Sequence, residues 1–109
     1  MTDVLKVLAQ LDAAATTAEV LYTAPADAQV TTSTLSVCNR TAAEITFRIS
    51  VHVAGAGADD KQYIYYDAPL PGNATLTAVL GMTLQETDVL KTYASATGLS
   101  FNLFGVETY

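Results

Sequence analysis

Between Glu44 and Val53 the chain alternates without a break. Ile45, Phe47, Ile49, Val51 and Val53 are apolar, and Thr46, Arg48, Ser50 and His52 between them are polar. A period of two sends successive side chains to opposite faces of an extended backbone, so this segment predicts a strand with one face in a core and the other in water or against a partner. The alternation returns in Leu99, Phe101 and Leu103 around Ser100 and Asn102. Residues 30–38 are rich in Thr and Val, which suit a pleated surface; there Leu35 and Val37 share one face, and Ser36 and Cys38 the other. Residues 20–23 form another β-prone run, stopped at Ala24-Pro25 because proline has no N–H to donate.

Further runs follow with turn residues between them. Residues 54–61 (AGAGADDK) read as a surface loop, and residues 62–66 (QYIYY) as an aromatic strand. Residues 68–73 (APLPGN) read as a rigid connection that forbids a helix. Residues 76–80 place Leu76, Ala78 and Leu80 on one side, and residues 89–96 and 99–106 complete the set, joined by a turn at Thr97-Gly98. Short strands at this spacing predict an all-β fold: a single antiparallel β-sandwich of about seven to eight strands, jelly-roll or immunoglobulin-like. The sandwich domain spans residues 20–109. Residues 1–19 are read as an N-terminal arm or edge strand. Val4, Leu5, Leu8 and Leu11 fit a helical stripe capped by Thr2 or Asp3, and Leu5, Val7, Ala9 and Leu11 fit a strand, which is favoured.

Composition narrows the function classes. At 109 residues and 50% hydrophobic content, one domain can bury roughly 65% of its unfolded surface. Charged residues make up only 15%, against roughly 25% in typical domains, which suits a surface partly covered by other protein. The net charge is −6, and Lys6, Arg40, Arg48, Lys61 and Lys91 are scattered. Without a basic stripe to neutralise phosphates, neither nucleic acid nor an anionic membrane is an expected partner. No apolar run approaches a membrane span, and the acidic start MTDVLKVLAQL does not read as a secretory signal. The single Cys38 leaves no internal disulfide and reads as a structural thiol.

The search for chemistry yields no catalytic, cofactor-binding or metal-ligating set. His52 is the only histidine and lies on the polar face beside Arg48 and Ser50, where it is expected to face solvent or an interface. Asp59-Asp60 lacks the ligand spacing of a calcium loop. Gly55-Ala56-Gly57 and Pro71-Gly72-Asn73 lack the strand–helix setting and the lysine of a phosphate cradle. The tyrosines are better candidates. In a regular strand Tyr63 and Tyr65 share a face opposite Ile64 and Tyr66, and two outward tyrosines can anchor an interface or stack a sugar. Packing over the sheet rim is the competing reading.

The succession LYTAP (21–25), TLSVCNR (34–40), FRISV (47–51), KQYIYYDAPLPGN (61–73), LGMTL (80–84), TDVLKTYAS (87–95) and FNLFG (101–105) resembles a family of small β-structured virion proteins of tailed bacteriophages. The likeness covers about residues 20 to 106, and its motifs are structural corners. It implies that Asn39 and Arg40 form the corner after the Cys38 strand and that Tyr63 begins the aromatic strand. Ala24 and Asp27 depart from the more hydrophobic and glycine-like residues expected around the proline. The resemblance implies no catalytic residues and no cofactor. It implies a structural component synthesised in a bacterial cytoplasm and built into the virion, in the tail, neck/collar or fibre-attachment region. The alternatives are a capsid decoration protein or, by analogy of fold alone, a carbohydrate-binding β-sandwich module; a host-surface glycan is a further candidate partner. The expected partners are further copies of the chain and other virion proteins, and the expected interface residues are Leu5, Val7, Leu8, Tyr63 and Tyr65. Deleting residues 1–12 is expected to leave the sandwich folded while impairing incorporation.

Overall fold

The alternating runs form the strands of two antiparallel sheets packed face to face, seen in a computed structural model that describes all 109 residues. Nine strands follow one another: β1 (Asp3–Asp12), β2 (Glu19–Thr23), β3 (Gln29–Asn39), β4 (Ile45–His52), β5 (Tyr63–Leu70), β6 (Thr75–Ala78), β7 (Thr83–Leu84), β8 (Val89–Ala94) and β9 (Leu99–Thr108). One sheet has the order β1-β9-β3-β6, with β7 also pairing β3, and the other has the order β2-β8-β4-β5. The all-β sandwich is as expected. The strand beyond the seven to eight expected is β7, only two residues long and too short to show a period.

The core lies where the inward faces meet. Leu35 and Val37, Ile45, Phe47 and Ile49, Leu90 and Ala94, and Leu99, Phe101 and Leu103 are all buried. Phe47 sits among aromatic neighbours, 5.5 Å from Tyr65 and 6.1 Å from Phe101 between ring centroids. Val51, expected in this set, is only half-buried.

The far end of β4 departs further from the expectation. Val53 leaves the strand for a 3-10 turn and is 68% exposed, whereas Ser50 and His52 are buried. His52 lies opposite Val89 and Ser50 opposite Lys91, so both still point away from the core, which Leu90 faces. They are buried because the segment after β4 folds back over this outer face. The expectation that His52 faces solvent or an interface is therefore corrected, because the chain's own segment after β4 covers it.

Residues 68–70, expected in a connection, instead extend β5, with Pro69 opposite Thr46. Because β5 is an edge strand, one row of its backbone groups has no ladder partner to lose, and proline is tolerated there. The corner after β3 is held by Asn39, only 1% exposed. Its amide donates to the carbonyls of Ala43, Leu70 and Pro71, and its Oδ1 accepts from the Thr41 N–H and hydroxyl.

The N-terminal segment is an edge strand. β1 pairs with β9 from Asp3↔Thr108 to Asp12↔Ser100, with one register shift between Val7 and Ala9. Thr2 and Tyr109 continue the ladder with reciprocal hydrogen bonds of 2.8 and 2.9 Å. Leu8, Ala9 and Leu11 pack against the core, so β1 is part of the sandwich as well as its rim.

Candidate functional site

Along β9 the buried residues are Leu99, Phe101, Leu103, Gly105 and Glu107. The alternate residues Phe104 and Val106 therefore point to the outer face of the five-stranded sheet. Leu5 lies directly opposite Val106, and Val7 opposite Phe104. Residues opposed in an antiparallel pair project from the same face, so these four side chains form one apolar patch. Leu5 is 78% and Val7 47% exposed, while Phe104 and Val106 are half-buried. Leu8, expected with them, falls at the register shift and turns inward. A Cβ at Gly105 would lie 3.0 Å from Leu8 Cδ1 and would collide with the Thr31 carbonyl oxygen, so the glycine allows Leu8 in and β3 to approach closely. The sequence signal missed here is that after Leu103 the apolar residues switch from the inner to the outer face, Phe104 and Val106 taking the outer positions while Gly105 and Glu107 take the inner ones.

The tyrosines divide differently from the expectation. Tyr65 faces inward onto Phe47, whereas Tyr63 lies edge-on to Tyr66, 4.9 Å between centroids. The cause is bulging: the β4–β5 register shifts on both sides of Ile49, and Asp67 adopts a left-handed φ of 49°. Bulges change which face a side chain takes. The Arg48 guanidinium lies 4.3 Å from the Tyr66 ring centre and 4.6 Å from that of Tyr93, and it donates to both carboxylate oxygens of Asp67. The Asp67 bond, above all, raises the Arg48 pKa.

Beside this group lies a shallow cavity of about 250 Å³, lined in part by Arg48, Ser50, His52, Tyr63, Lys91 and Tyr93. His52 Nδ1 is 2.8 Å from the Ala56 carbonyl oxygen, and Nε2 is 2.8 Å from Ser50 Oγ. A carbonyl only accepts, so Nδ1 donates to Ala56, while Nε2 shares a hydrogen bond with the Ser50 hydroxyl. The pairing ties the segment after β4 down onto the sheet. Asp59 and Asp60 have a local role as well: Asp59 accepts from the Lys61 N–H, and Gln62 accepts from the Asp59 N–H. No group of three or more His, Cys, Asp or Glu residues is placed to hold a metal ion.

A second polar cluster closes one end of the sandwich. Glu107 is only 3% exposed. It accepts from the Tyr22 hydroxyl at 2.6 Å, and from Lys6 Nζ and the Tyr109 hydroxyl at 3.2 Å each. The Tyr22 hydrogen bond, with those from Lys6 and Tyr109, holds the Glu107 carboxyl below its usual range against the opposing effect of burial. Burial, then the bond to Glu107, raises the Tyr22 pKa.

No protein-family model matches the chain, and neither the curated proteins nor the solved structures include a significant match to it.

Proposed function

We propose that this domain is a structural subunit of a tailed-bacteriophage virion, in the tail, neck or fibre-attachment region, and that it works through protein–protein contacts. The sequence resemblance supplies the setting. The mode of action rests on one observation: Leu5, Val7, Phe104 and Val106 lie side by side on the outer face of the five-stranded sheet, with Leu5 the most exposed of them. A contiguous, solvent-facing apolar patch on a small domain marks a contact surface. The same surface would serve a capsid decoration protein, and the carrier of the contact is the same in both.

A carbohydrate-binding role draws support from Tyr63, Tyr66 and Tyr93 beside the shallow cavity. It ranks lower because Arg48 already covers one face of the Tyr66 and Tyr93 rings, where a sugar would stack. The experiment is to purify particles carrying Val7→Asp. Val7 points away from the core, so the subunit should fold with a Tm close to that of the parent. Its copy number in particles should fall at least tenfold. Incorporation at the parental level would overturn the assembly reading.

A further inference from the structure

We infer that the occupant of the open β1 edge is a second copy of this chain, paired antiparallel about a two-fold axis through Leu5. The inference rests on the assembly reading above and names its first contact. It begins with the backbone. Thr2 and Tyr109 bond reciprocally, so Thr2 directs its N–H and C=O toward β9, and by alternation Val4 and Lys6 do the same. Asp3, Leu5 and Val7 must then present theirs to the free edge. The run ends there, because Ala13 donates to the Leu99 carbonyl, so beyond the shift between Val7 and Ala9 it is the odd-numbered residues that face β9.

Only one two-fold register uses all the outward groups. Centred on Leu5, it pairs Leu5 with Leu5 of the copy, and Asp3 with Val7 in both directions, giving about six hydrogen bonds. Centring on Asp3 would set two carboxylates against each other, and centring on Val7 would carry the pairing across the register shift, where the donors face the other way. The pairing also joins the apolar patch of each copy to that of the other in one continuous band.

Edge strands that avoid such pairing are usually guarded by charge, proline, bulges or brevity. The other edges have these features. β5 has Pro69 and two register shifts, β6 is four residues long, and β2 is five residues long with a shift of its own. β1 has two charges in the paired run, and both are turned back toward β9. Asp3 accepts from the Thr108 hydroxyl at 2.9 Å, and Lys6 reaches Glu107. Residues 3–7 are all exposed and hydrogen-bonded on one side only.

The test is cross-linking of the full chain in solution, in a Cys38→Ser background that removes its own thiol. Across the two-fold, the Leu5 Cα atoms would lie about 5.5 Å apart, within the roughly 4.4–6.8 Å span of a disulfide. The two Val7 positions would be four residues out of register, about 13 Å apart. Mild oxidation should link Leu5→Cys into a dimer at least ten times faster than Val7→Cys, and the Cys38→Ser parent should sediment as a dimer. A monomeric parent at every concentration, or equal linking of the two variants, would overturn the inference. Neither result would touch the assembly reading, which stands or falls with Val7→Asp in particles.

Discussion

Glu107 shows how one side chain can set the pH limits of a small sandwich. Its carboxylate is enclosed by Tyr22, Lys6 and Tyr109, an arrangement that satisfies a buried charge with hydrogen bonds. The folded chain holds the Glu107 proton less readily than the unfolded chain, whose carboxyl titrates near 4.5. A depressed carboxyl contributes stability above the unfolded value, and that contribution is lost as the pH falls through the folded value. Tyr22 is the opposite case. Its raised pKa contributes stability below the unfolded value of 10.0, which is lost as the pH rises beyond it. Thermal melting should therefore fall off below about pH 4.5 and again above about pH 10. Glu107→Gln should lower the Tm at neutral pH and flatten the acid limb, and an unchanged acid limb would show that other carboxyls dominate it.

At the scale of elements, β1 binds the N-terminal segment to the fold more tightly than an arm would. Leu8, Ala9 and Leu11 cover the flank of a core that includes Phe101 and Leu103. Deleting residues 1–12 should accordingly lower the Tm by ten degrees or more, as read by circular dichroism, in place of leaving the sandwich intact. A truncated chain that melts like the parent would show that β1 is dispensable to the core. The strands with one wet face, such as Ile45 to Val51 and Leu99 to Leu103, were readable because their period is enforced by burial. What escaped reading has a common origin in backbone events without a side-chain signature. Bulges around Ile49 moved Tyr65 inward and Tyr66 outward, and the segment folding back after β4 buried Ser50 and His52 against their polar character. The interface patch was half readable. Leu5 and Val7 stood out as apolar residues near the N-terminus, but Phe104 and Val106 became outward residues only once Gly105 and Glu107 were fixed inside.

For the whole molecule, the two sheets are joined by very unequal means. Through most of the sandwich they share an apolar core, while at one end the Tyr22–Glu107 bond reaches from the four-stranded sheet to the five-stranded one. At that same end Thr2 and Tyr109 are ladder neighbours, close enough for a short peptide linker to join them. A peptide linker between them would change no native contact, yet it would restrict the unfolded chain, whose ends otherwise wander freely. New ends opened between Gly57 and Ala58, both exposed, would fall in a segment outside both sheets, where breaks are best tolerated. Such a permuted chain should fold to the same sandwich and give a matching amide fingerprint by NMR. In that chain β1 would be tied covalently to β9 through the linker as well as to β2, so its pairing edge would be held from both sides.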